Sequence, residues 1–161
     1  MPSVTRKKLL PADPDRVYDV ISDPRRLTDW WPRVTRVENV DGKPGTARTQ
    51  WTNVLAADSG RKLRMDYRCV GATRPERYVW EHELSGTPFE EHLQNQTTEV
   101  RLDPDDGGTE ISLTANHTLR GSARLAGFMM KKTQKQMLDQ ALEALGKVFE
   151  EPAGAAEEGK E

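Results

Sequence analysis

Only one cysteine, Cys69, occurs in the chain, which excludes an intrachain disulfide and makes a reducing cytoplasm the expected compartment. Long hydrophobic runs are lacking as well. No stretch approaches the ~20 apolar residues that span a bilayer, and the N-terminal MPSVTRKKLLP has no apolar segment of signal-peptide length. Neither membrane insertion nor export is expected. Charge of one sign is missing too, since 24 basic residues face 26 acidic ones for a net -2. The basic pieces Arg6-Lys7-Lys8 and Lys131-Lys132 are short, so nucleic acid is not an expected partner. Equally absent are a glycine-rich phosphate loop, Cys-x-x-Cys and His-Glu-x-x-His zinc patterns, a dinucleotide fingerprint and a nucleophile elbow. No cofactor and no metal is expected, and function has to come from a cavity.

What is present is a patterned chain, 35% hydrophobic and 31% charged over 161 residues, enough for one domain that buries roughly 68–70% of its unfolded surface. Residues 3–10 carry strand character up to Pro11. Asp13-Pro14 is an N-cap followed by proline at the first helical position, and Val17, Val20 and Ile21 then recur at helical spacing. The device repeats at Asp23-Pro24, with Leu27, Trp30 and Trp31 before Pro32. Two short helices are predicted. From Val34 to Leu119, turn chemistry separates six strand-length runs, the pattern of an antiparallel meander: 34–40, 46–55, 62–70, 76–84, 91–102 and 109–119. Ser122 to Glu150 then contains no proline, and Met130, Thr133, Met137, Ala141, Leu145 and Val148 share one face. At 1.5 Å per residue this helix reaches about 40 Å, the breadth of a sheet. The domain is expected over 1–151, and 152–161, small and charged, as a disordered tail.

This order of elements resembles the helix-grip superfamily (SRPBCC) of START lipid-transfer domains, birch-pollen allergens and polyketide cyclase/dehydrase-like proteins. The matching pieces are DPDRVYDVISDPRRLTDWWP, VWEHELSGTPFEEH, TEVRLDPDDGGTEISL and RLAGFMMKKTQKQMLDQALEALGKVF, which together cover nearly the whole chain. The resemblance implies an α+β helix-grip fold: a curved seven-stranded antiparallel sheet, two short helices after the first strand, and a long C-terminal helix closing a cavity. It also implies a small apolar ligand, possible members being carriers, cofactor-independent cyclases or dehydratases, and protein-binding modules.

Strand parity proposes which residues line such a cavity, because alternate side chains face inward and the most apolar register marks the inner face. On that test Leu63, Met65, Tyr67 and Cys69 point in, as do Tyr78, Trp80 and His82, then His92, Gln94, Gln96 and Thr98, then Ala115, His117 and Leu119. The expected ligand-binding set is Trp51, Tyr67, Tyr78, Trp80, His82, His92, Gln94 and His117 from the sheet, with Met130, Thr133 and Met137 from the helix. Hairpin arithmetic from a turn near Thr87-Pro88 places His82 opposite His92, and one from Asp105-Asp106 places His117 opposite Gln94. The three histidines would then share one polar patch, and in an enzyme His82, His92 and His117 are the acid/base candidates. Cys69 reads as a buried small hydrophobe rather than a nucleophile.

Overall fold

The computed structural model describes residues 3–57, 59–121 and 127–159. Strand β1 (Ser3–Leu10) leads into α1 (Pro14–Ile21), a 3-10 turn (Pro24–Arg26) and the single-turn α2 (Leu27–Trp30). The meander follows as β2 (Val34–Asp41), β3 (Gln50–Ala56), β4 (Lys62–Thr73), β5 (Arg77–His82), β6 (Leu93–Asp105) and β7 (Gly108–Leu119), and α3 (Gly127–Gly159) ends the chain. Both Asp-Pro caps form: Asp13 Oδ1 accepts from the Arg16 backbone N–H at 2.9 Å, and Asp23 Oδ1 from that of Arg25 at 3.0 Å, satisfying amides at each helix start that no carbonyl reaches.

The sheet has the order β1-β7-β6-β5-β4-β3-β2 with every pair antiparallel. Its ends are β1, brought back beside β7, and β2. This is the seven-stranded helix-grip fold. The inner face carries the core, with Val100, Ile111 and Leu113 packed toward Leu138, Ala141, Leu145 and Phe149 of α3 and toward Val17 and Tyr18 of α1. The opposite face is a ladder of ion pairs, such as Arg68–Glu81 at 2.9 Å and Arg77–Glu99 at 2.5 Å. Alternation along each strand separates the two faces.

α3 lies against β1, where Arg6 Nε donates to Asp139 Oδ1 at 2.7 Å. The close approach of backbone falls at Gly108, where a Cβ would stand 2.1 Å from the Leu10 carbonyl oxygen, so β7 can begin beneath the end of β1 only with glycine there. The helix differs from its predicted span. Residues 122–126 lie outside the described residues, and the helical backbone runs past Pro152 to Gly159 rather than ending at Glu150. Alanine and glutamate, abundant beyond Pro152, are strong helix formers.

Candidate functional site

Inward residues of successive strands stand side by side in one transverse row. Trp51 of β3 pairs with Tyr67 of β4, Tyr67 with His82 of β5, and Gln96 of β6 with His117 of β7. His82 Nδ1–H donates to Gln96 Oε1 at 3.0 Å and closes the row. With the amide oxygen as acceptor, Nδ1 carries the proton of the neutral imidazole. The rings stack along the row: Trp51 on Tyr67 at 6.1 Å and 16°, Tyr67 on His82 at 4.8 Å and 24°. A second row runs beside it through Cys69, Trp80, Thr98 and Ala115. Trp80 is its centre, meeting Trp31, Trp30 and Trp51 edge to face at 5.2, 6.1 and 6.3 Å, an arrangement that suits the ring quadrupoles.

Over these rows lies a cavity of about 110 Å³. Its sheet wall is formed by Leu55, Met65, Tyr67, Trp80, Gln96 and Thr98, its helix wall by Gln134 and Met137 of α3, and Trp31 flanks it. Two further depressions open on the described surface, the second of them sharing Tyr67 with the cavity. One of about 190 Å³ brings His82 together with Glu90, Leu93 and Arg120, and one of about 340 Å³ brings Trp51 and Tyr67 together with Asn39, Asp66 and Glu83.

Burial governs the ionisation of the site. It pushes the Tyr67 and Tyr78 hydroxyls far above the usual tyrosine range, so both remain neutral phenols. It depresses both buried histidines. For His82 the Gln96 hydrogen bond and the charges of Asp66 and Glu83 oppose the depression in part, while for His117 the Lys131 charge adds to it. Burial also raises the Cys69 thiol, which donates to the Gly71 carbonyl at 3.3 Å. A protonated thiol bound to backbone is no nucleophile. Several buried polar atoms have no hydrogen-bond partner among the described residues, including both His117 nitrogens, Trp51 Nε1 and Gln134 Oε1. The described residues hold no group of three or more side chains able to bind a metal ion.

Of the predicted residues, Trp51, Tyr67, Tyr78, Trp80, His82 and His117 are on the inner face, and Met130 and Met137 are half-buried on α3. The rest need correction. His92 is exposed on the turn before β6, where its carbonyl accepts from the Arg120 N–H at 2.8 Å. Gln94 is exposed, and so is Thr133. Three histidines do not gather. The cause is hairpin length: a 3-10 turn, Pro88–Glu91, occupies the β5–β6 connection, so His82 meets Gln96 four residues beyond His92. The next hairpin turns at Asp106-Gly107, with Asp105 opposite Gly108, which moves the partner of His117 from Gln94 to Gln96. Both displacements are even, so from Gln96 onward inward parity survives and Gln96 takes the junction. A one-residue register shift between Leu93 and Asn95 reverses the parity at the start of β6, burying Leu93 and turning His92 and Gln94 outward. On α3 the polar residue of the seam is Gln134, 4% exposed. Its signal was its position, four residues after Met130 and four before Leu138.

The family model for polyketide cyclase / dehydrase and lipid transport matches residues 1–150. Among curated proteins none matches the chain in sequence. The fold is similar to that of the di-domain ARO/CYC StfQ from the steffimycin biosynthetic pathway, with a TM-score of 0.76 at 13% identity, over 94% of this chain and 51% of that one. It is also similar to a START superfamily protein from Mycobacterium smegmatis, with a TM-score of 0.71 at 15% identity over 92% and 97% of the two chains. A protein from Thermus thermophilus, TTHA0849, is 25% identical, with a TM-score of 0.65 over 96% and 99%.

Proposed function

The chain belongs to the polyketide cyclase/dehydrase and lipid transport family, and from that premise we propose that it binds and carries a small, flat, largely apolar molecule between its sheet and α3. The observation that carries this is the lining of the cavity: aromatic faces of Tyr67 and Trp80 on one side, a helix wall of Gln134 and Met137 on the other. A volume of about 110 Å³ is tight for a ring, and the unbranched side chains of Met65 and Met137 can move aside to admit one. No helix among the described residues is long and apolar enough to cross a membrane. The reading places the carrier in the cytoplasm, in keeping with the free, buried Cys69. Native mass spectrometry of the protein isolated from its own host tests the proposal. A co-purifying small molecule, lost on denaturation, is the expected result; protein that is empty and captures no apolar ring compound would overturn it.

A cofactor-independent cyclase or dehydratase is favoured by one observation, the two imidazoles kept neutral in the row beside the cavity. Neutral imidazole is the form a general base requires. On that reading His82→Gln abolishes turnover of a bound substrate while leaving the substrate bound.

A further inference from the structure

Two amides face the cavity from opposite walls, and their unused hydrogen-bonding capacities differ. Gln134 is nearly fully buried on α3. Its Nε2–H donates to Met130 Sδ at 3.8 Å, a weak acceptor, and its Oε1 has no partner among the described residues. On the sheet wall Gln96 has committed its Oε1 to His82, so the capacity that remains is that of its NH2 group. The helix wall therefore offers an acceptor and the sheet wall a donor.

A carbonyl or ether oxygen only accepts, and an ionised carboxylate only accepts and would bring its charge against the Gln134 oxygen. The described residues of the cavity lining include no cation to neutralise it, and a buried unpaired charge is strongly opposed. A hydroxyl donates and accepts through one atom. We propose that Gln134 and Gln96 together select a flat ligand bearing a phenol- or enol-type hydroxyl, whose O–H donates to Gln134 Oε1 and whose oxygen accepts from Gln96 Nε2. The inference rests on the cavity-binding reading above. The aromatic walls favour a hydroxyl carried on a planar conjugated ring over an aliphatic alcohol. A site built around a hydroxyl rejects the analogue lacking it, because its own polar atoms are then left unpaired. The competitor is a bound water bridging the same two amides.

Calorimetric titration of the full chain separates these cases with three probes of similar shape: 2-naphthol, 2-methylnaphthalene, which neither donates nor accepts, and 2-methoxynaphthalene, which only accepts. Wild-type protein is expected to bind 2-naphthol about tenfold more tightly than either analogue, although water rejects 2-methylnaphthalene more strongly. Gln134→Leu is expected to shrink that preference to about twofold or less, weakening 2-naphthol and raising the affinity for 2-methylnaphthalene, which no longer leaves the Gln134 amide unpaired. Gln96→Leu, on the other wall, should do the same if Gln134→Leu does not fold. Equal affinities in the wild type, as a retained bridging water would give, overturn the hydroxyl assignment and leave the cavity reading standing. A preference that survives both substitutions also overturns it. Binding of none of the three overturns both.

Discussion

The two halves of α3 pack against the same sheet and do so differently. Toward its C-terminal end the helix buries Leu138, Ala141, Leu142, Leu145 and Phe149, each at most 4% exposed, in a core of hydrocarbon that includes Leu10, Val17, Ile111 and Leu113. Toward its N-terminal end Met129 is 60% exposed, Met130 and Met137 are half-buried, and Gln134 is buried with an unpaired oxygen over the cavity. One half is close-packed and determines where the helix lies. The other half is adaptable, and the cost of its unpaired groups is tolerable because the packed half holds the helix in place.

The most severe way to break this division is to charge the packed half. Leu142→Asp removes buried apolar area and places an unpaired carboxylate in the core, a loss on the order of 5 kcal/mol, comparable with the whole stability of a small domain. The same exchange at Met137 is expected to cost less than half as much, since that position is only half-buried and its carboxylate can turn away from the cavity to solvent. Thermal unfolding of the two variants side by side checks this. Equal losses would erase the distinction between the halves.

Gly108→Ala tests the packed end from the sheet side. Its Cβ would meet the Leu10 carbonyl oxygen at 2.1 Å, so the end of β1 has to shift. The neighbouring contact in which the Thr109 hydroxyl donates to the Ala12 carbonyl at 2.7 Å would go with it. A cost of about 1–3 kcal/mol is expected in urea unfolding, with binding of a ring probe unchanged because the cavity lies at the other end. Lost binding with unchanged stability would show that the two ends are not independent.

The same division explains how much was legible in the sequence. Helix caps at Asp13 and Asp23, strand parity, and the apolar stripe through Met137, Ala141 and Leu145 all depend on local spacing, and the architecture followed from them. Trp51, Tyr67, Trp80, His82 and His117 were found on the inner face because parity is insensitive to even shifts of register. His92 and Gln94 were misplaced because a one-residue register shift between Leu93 and Asn95 reverses their parity, and Thr133 because its position depends on which edge of a helical stripe is buried. The Pro88–Glu91 turn is decided by tertiary packing, whereas the burial of Gln134 was signalled only by its place four residues after Met130 and four before Leu138.

The smallest expected effect lies in the adaptable half and depends on pH. His117 is fully buried with neither ring nitrogen partnered among the described residues, and burial, reinforced by the Lys131 charge, depresses its pKa from the usual 6.5. His82 is depressed in the same sense, with Asp66 and Glu83 opposing. Below about pH 6.5 the unfolded chain takes up protons that the folded chain resists, so stability is fully present above that pH and is lost as pH falls toward the folded-state value. A displacement of one pH unit in such a titration is worth about 1.4 kcal/mol, which sets the scale. His117→Phe removes one of the two groups and fills the same space with an apolar ring. Urea unfolding at pH 7.5 and pH 5.0 should show a smaller acid loss for the variant than for the wild type, with His82 accounting for part of what remains. An identical loss in both proteins would mean that His117 is protonated in the fold without penalty, and the adaptable end would then be wetter than its packing implies.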